Sequence, residues 1–345
     1  MTAPVRRLTL GFIPLTDAAP LIVAAEKGFF AAEGLDVSLS REASWATVRD
    51  KVVTGVLDGA HMLAPMVLAA TLAADFPAVP LIAPMSLNRG GAAVTVSNSL
   101  AEALGPGDPV AALRRVVAAR RAAGEGALTF AVVFPFSIHN DLLRGWLADA
   151  AVTAGPDVRI VVIPPPRMAE QMDAGRIDGF CVGAPWNDHA VEQGIGVTIL
   201  RAPRHWSGGS DKVLGLREAW ACDNADAVQA ILRALLRGAA WADDRVQRGS
   251  LAAMLAAPQY VGVAPATIAG ALADEIAFHR DGVSIPHYRH AEAFIARMAR
   301  WGQIAAPESP ALIAERVYRV DLLRDAYAAL DWPWPTDGDF AADTE

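Results

Sequence analysis

The sequence predicts an α/β protein of two lobes with a helical C-terminal part, and three observations predict it. Short apolar segments alternate with helical stretches, the pattern of βαβ units and mainly parallel sheets. The chain has 345 residues, more than one hydrophobic core usually holds. Beyond Ala264 the apolar periodicity is almost wholly helical.

Taken in order, the expected strands are Leu8–Ile13, Asp36–Leu39, Leu81–Met85, Ala92–Val96, Leu128–Val133, Arg159–Ile163, Gly179–Val182 and Val213–Leu216, each a short apolar run. Expected helices are Pro20–Phe30, Thr47–Leu57, Ser137–Ala150, Met168–Ala174 and Val228–Trp241. In the last, Val228, Ile231, Leu232, Leu235, Leu236 and Ala239 fall at helical spacing. Ala291–Trp301 and Leu312–Leu330 continue the helical pattern. The tail from Asp331, with its Pro, Asp and Trp, reads as an irregular end.

Composition narrows the class. Hydrophobic residues are 53% and charged residues 20%, too apolar for a disordered chain. Two cysteines, Cys181 and Cys222, exclude a disulfide framework and a Cys-rich zinc module. A net charge of −8 argues against non-specific nucleic-acid binding. It leaves a small anion as a ligand, because local donors decide that. Arg6-Arg7 followed by the apolar Leu8–Pro14 superficially resembles a signal peptide, but Pro14, Thr16 and Asp17 interrupt the run. Only seven residues precede the first strand, which leaves no room for an export signal, so cytoplasmic residence is expected. No apolar run is long enough for a membrane helix.

Ligands of open α/β sheets bind where strands end and helices begin. Helix N-termini offer free N–H groups and partial positive charge, which suit anions. Ser44 is a candidate N-cap before Trp45, and Ser137 is a candidate N-cap that places His139 in a first helical turn. Pro165 follows another strand, in Pro164-Pro165-Pro166, and proline suits a first helical position. Asp17 would repel an anion unless it caps its own helix. Lys212 is one of three lysines, between Gly208-Gly209-Ser210 and a strand. Each residue alone also fits a plain role: Trp45 a packed aromatic, His139 an idle helix start, Lys212 a solvated charge. His287 and His290 are three apart without the carboxylate context of a metal site.

Several segments together resemble the nitrate/bicarbonate branch of periplasmic-type substrate-binding proteins. They are Gly11–Leu21 (GFIPLTDAAPL), Glu26–Phe30 (EKGFF), Glu42–Trp45 (EASW), Asp58–Met66 (DGAHMLAPM), Pro164–Pro166, Asp178–Asn187 (DGFCVGAPWN) and Asp211–Gly215 (DKVLG). The resemblance implies a periplasmic-binding-protein-like type II fold: two α/β lobes around a ligand cleft. One lobe is expected from 1–94 and 214–345, the other from 95–213. It implies ligand contacts at Trp45, His139, Pro165 and Lys212, and a further ligand-binding position at Gly91 and Ala92, where a backbone N–H near Gly91 can donate. Ala92 stands where nitrate-binding transport proteins place a glutamine, so one side-chain donor is missing; Arg89 is nearby, with a surface role as the plainer reading. Ala184 stands before Pro-Trp-Asn where transport relatives often carry Glu, which weakens a calcium-linked bicarbonate reading.

The resemblance together with the short N-terminus points first to a NasS-like cytoplasmic nitrate/nitrite sensor. Such a sensor controls an RNA-binding antiterminator of the NasT type in nitrate assimilation, through a two-state cleft. The alternative is a periplasmic substrate-binding component of an ABC transporter for nitrate, nitrite, bicarbonate, cyanate or a sulfonate. An enzyme resembling thiamine-pyrimidine synthases is a distant third, because their Cys-rich segment is absent. No catalytic residue, metal or cofactor is expected.

Overall fold

A computed structural model describes residues 5–72, 78–202, 210–273 and 276–335. Ten strands form two five-stranded sheets. The first holds β1 (Arg6–Phe12), β2 (Leu35–Arg41), β3 (Gly59–Leu63), β4 (Leu81–Asn88) and, far along the chain, β10 (Lys212–Arg217). Its order is β2-β1-β3-β10-β4. The second holds β5 (Ala92–Ser97), β6 (Leu128–Val132), β7 (Val158–Val162), β8 (Gly179–Gly183) and β9 (Gly196–Arg201), in the order β7-β6-β8-β5-β9. In each sheet the strand contributed by the crossover, β10 or β5, runs antiparallel to its neighbours. Two similar lobes result, as in type II periplasmic binding proteins, with the helices Pro265–Leu272, Tyr288–Arg300, Pro310–Val317 and Val320–Ala329 completing the C-terminal part.

The crossovers lie side by side. Residue 94 falls inside β5 and residue 214 inside β10, so the chain changes sheets a few residues before each expected lobe boundary. The Asn88 side chain joins the two passages: its Oδ1 accepts from Lys212 N at 3.1 Å and its Nδ2 donates to Gly90 O at 3.0 Å. Gly90 and Gly91 have φ of 86° and 90°. That left-handed pair favours glycine, and a Cβ on Gly91 would meet Ile276 Cδ1 at 2.9 Å.

Local signals set several helix bounds. Ser44 Oγ accepts from Thr47 N at 3.2 Å and starts the helix Trp45–Val53. Ser137 Oγ accepts from Asn140 N at 3.1 Å and starts the helix Ile138–Asp149. The expected helix Pro20–Phe30 is instead two, Ala19–Glu26 and Phe29–Ala32, because Gly28 turns left-handed at φ 71°. The expected helical run Leu312–Leu330 breaks where Tyr318 goes extended. Strand β3 went unpredicted because every residue in it is buried, leaving no polar–apolar alternation to read. Strand β9 and the helix Pro109–Ala122 were unpredicted as well. Of the segment expected before Lys212, Gly208 and Gly209 lie outside the described residues.

Candidate functional site

The facing edges of the lobes enclose a buried polar cluster. From the first lobe come Asp17, in the 3-10 turn Thr16–Ala18 after β1, Trp45 at its helix start, His61 in β3, and Asp211 and Lys212 at the entry to β10. From the second come His139, in the first turn of its helix, and Gly183 at the end of β8. Trp45, His61, His139 and Lys212 have no solvent exposure.

Direct cross-lobe bonds keep the cleft shut. Thr16 N and Thr16 Oγ1 both donate to Ala184 O, at 3.0 and 3.1 Å. Trp186 Nε1 donates to Pro14 O at 2.8 Å. At the rim, Trp301 Nε1 donates to Asp141 Oδ1 at 2.7 Å, Arg297 Nη1 lies 3.1 Å from Asp141 Oδ2, and Gln303 Nε2 donates to Pro135 O at 2.8 Å. Asp141 sits one position after Asn140 on the helix that carries His139, so the rim and the ligand space share one rigid element.

Charge inside the cluster is tightly balanced. Lys212 Nζ lies 2.9 Å from Asp17 Oδ2 and also donates to Asp211 Oδ2. It stands 5.6 Å from the centre of the Trp45 ring, a cation–π distance. Burial works against the ammonium, but Asp17 and Asp211 outweigh it and raise its pKa. Burial alone would raise Asp17; Lys212 and then His61 overcome this and hold it well below the usual carboxylate range. His61 Nε2 approaches Asp17 Oδ1 to 2.8 Å without hydrogen-bond alignment, and its ring lies 5.2 Å from that of Trp45. Burial lowers His139 to about 4 even though Asp211 pulls the other way, with Oδ2 at 3.6 Å.

Among the described residues, polar atoms in this buried space lack protein partners: Trp45 Nε1, both ring nitrogens of His139, and Asp211 Oδ1. Native interiors rarely tolerate such atoms without a ligand or water between them. Unpartnered polar atoms from both lobes therefore lie in one buried cluster, linked through Lys212 and Asp211. A Cβ built on Gly183 would stand 3.4 Å from Asp17 Oδ2 and 3.6 Å from His139 Nε2, so any side chain there would press against both groups. Ala92 pairs directly with Gly183 across β5 and β8, which puts its methyl on the same face.

The six expected ligand residues thus divide. Trp45, His139 and Lys212 meet at the cluster, and Ala92 borders it through Gly183. Gly91 contributes its carbonyl to Ala184 N at 2.9 Å, tying the crossover to the second lobe. Pro165 is buried at the start of the turn Pro165–Arg167, but no hydrogen bond or ion pair among the described residues joins it to the cluster. Lys212 does not offer a free charge, since two carboxylates already hold it. Asp17 neither caps its own turn nor stands apart; it is the counter-ion. His61 and Asp211 were missed as participants, although both lie inside motifs that carried the resemblance. Arg89 Nη2 lies 3.5 Å from Asp281 Oδ2, and Arg89 N donates to Ala277 O at 2.9 Å, which ties it to the C-terminal part of the first lobe. Among the described residues, no group of three or more His, Cys, Asp or Glu is arranged to hold a metal ion, and no helix is long and apolar enough to cross a membrane.

Two α/β lobes closed over a buried donor cluster define a two-lobed ligand-binding protein. The NMT1-like family model matches residues 1–256, and the chain belongs to that family. It is 34% identical to the nitrate/nitrite binding protein NrtA of Synechococcus elongatus over 350 residues, covering 94% of this chain and 78% of the relative. It is 38% identical over 343 residues to the nitrate import ATP-binding protein NrtC of Synechocystis, covering 94% of this chain but only 50% of NrtC. The chain therefore spans about half of that relative. The crystal structure of the periplasmic nitrate-binding protein NrtA from Synechocystis superposes with a TM-score of 0.89 at 30% identity, covering 96% of this chain and 91% of that one. These likenesses place the chain in a family whose matched members include nitrate/nitrite binding proteins.

Proposed function

We propose that the chain is a substrate-binding protein that captures nitrate or nitrite in the cleft and presents it to an ABC importer. The observation that carries this is the set of unpartnered, fully buried donors, Trp45 Nε1 and the His139 ring, contributed by opposite lobes. A ligand that accepts from both is enclosed only when the lobes close, so binding and closure are one event. The relatives NrtA, named for nitrate/nitrite binding, support the identity of the anion. Backbone N–H groups at the Trp45 and Ile138 helix starts add favourable dipoles. The test is calorimetric titration of purified protein with nitrate, nitrite, bicarbonate and cyanate. Saturable binding of nitrate or nitrite is expected; binding of bicarbonate or cyanate alone would replace the ligand assignment.

A second reading keeps the anion and changes the output: a cytoplasmic NasS-like sensor whose closure releases a NasT-type RNA-binding antiterminator. The chain also matches about half of NrtC, so a chain of this kind also occurs joined to a second part in a protein with an ATP-binding name. Pull-down of such an antiterminator with and without millimolar nitrate separates the two. Anion-dependent release supports the sensor; no complex under either condition leaves the transport receptor.

A further inference from the structure

We infer that the cleft takes up one proton with each anion, so that what it binds is an anion–proton pair. The inference rests on the anion-binding reading above and concerns how the site balances charge. Among the described residues, the titratable groups at the cluster are Asp17 from the turn after β1, His61 from β3, His139 from the helix of the second lobe, Cys181 from β8, and Asp211 and Lys212 from the entry to β10. Burial pushes the Cys181 thiol up, so it contributes no charge. Beside the two imidazoles, the described groups are two carboxylates sharing one ammonium.

An anion entering this space brings a further negative charge to a place without solvent exposure, where a net charge is costly. Lys212 cannot offset it, because its single positive charge already stands against two carboxylates. His139 can. Its ring is fully buried, Nε2 lies 3.6 Å from Asp211 Oδ2, and among the described residues neither nitrogen has a hydrogen-bond partner. A neutral imidazole donates from one nitrogen only; an imidazolium donates from both. Protonation therefore lets one nitrogen face Asp211 and the other the anion, and cancels the charge that arrives. Without an anion, burial holds His139 to about 4. At neutral pH the ring is then neutral, and the proton must come from solvent as the anion binds.

The sign follows from linkage. Binding that takes up a proton weakens as pH rises, by about tenfold in Kd per pH unit wherever the free ring is neutral and the bound ring is charged. The experiment is titration with potassium nitrate at neutral pH in phosphate and in Tris, two buffers of different ionisation enthalpy, with Kd followed across the neutral range. Close to one proton per nitrate is expected, with the tenfold slope. His139→Gln keeps one donor and should abolish both the proton uptake and the slope. Uptake near zero with a pH-independent Kd overturns the inference, as does an undiminished slope in His139→Gln. Failure looks different for the reading beneath it: no nitrate or nitrite binding in either buffer removes the anion site itself.

Discussion

Replacing Lys212 by Met tests the charge balance of the cluster. Methionine keeps most of the side-chain length and leaves Asp17 and Asp211 buried together without their ammonium. Removing one partner from a buried ion pair costs about 3–5 kcal/mol, mostly the penalty of the charge left behind. A chain of this length unfolds with an entropy of about 0.7 kcal/mol/K, so a cooperative transition shifts down by about 4–7 °C. The deficit should depend on pH. Without Lys212, burial raises both carboxylates above their unfolded values, so they are neutral in the fold at low pH and cost stability as pH rises. Lys212→Met should therefore lie nearest the parent in mild acid and fall furthest below it at neutral pH. Asp17→Asn added to Lys212→Met should recover part of the loss, and Asp211→Asn on top of both should recover most of it, because contacting residues are non-additive. Calorimetric melting of the four proteins at two pH values reads all of this. A single variant as stable as the parent at neutral pH, or a triple variant no better than the single, refutes the reasoning.

Three further outcomes follow from the geometry. Gly183→Ala introduces a methyl at ordinary contact distance from Asp17 and His139, so the protein should melt normally but bind nitrate at least tenfold more weakly, about 1.4 kcal/mol, with unchanged affinity counting against Gly183 as ligand space. Asp141→Ala removes the rim acceptor of Trp301 and the partner of Arg297, and a lost hydrogen bond to a charged group is worth about 1.5–3 kcal/mol, so nitrate should dissociate about tenfold faster or more in stopped-flow measurements; an unchanged rate would show that the rim does not hold the cleft shut. Ala92→Gln adds a donor on the same sheet face as Gly183 and should tighten nitrate binding measured by titration, whereas weaker binding would mean the space is built around a different pose.

The parts of the site that local rules govern were readable in the sequence. Ser44 and Ser137 announce helix starts because a capping hydroxyl needs only the next few residues, and those starts place Trp45 and His139. The two-lobed α/β architecture was readable from alternation and length. The counter-ions were not. Asp17 and Lys212 are far apart in sequence and meet only because β10 inserts between β3 and β4. His61 sits in a strand buried on both faces, where no periodicity distinguishes a cleft residue from core. Glycine at 183 gives no sequence sign that it lies against the cluster; that needs Asp17 and His139 placed around it.

The most direct test of the central claim is a crystal structure of the protein grown with nitrate. The account predicts planar density in the cleft within hydrogen-bond distance of Trp45 Nε1 and the His139 ring, beside Gly183, with Lys212 still held by Asp17 and Asp211. Nitrate bound elsewhere, or a cleft whose Trp45 and His139 nitrogens are bridged by water alone at saturating nitrate, would contradict it.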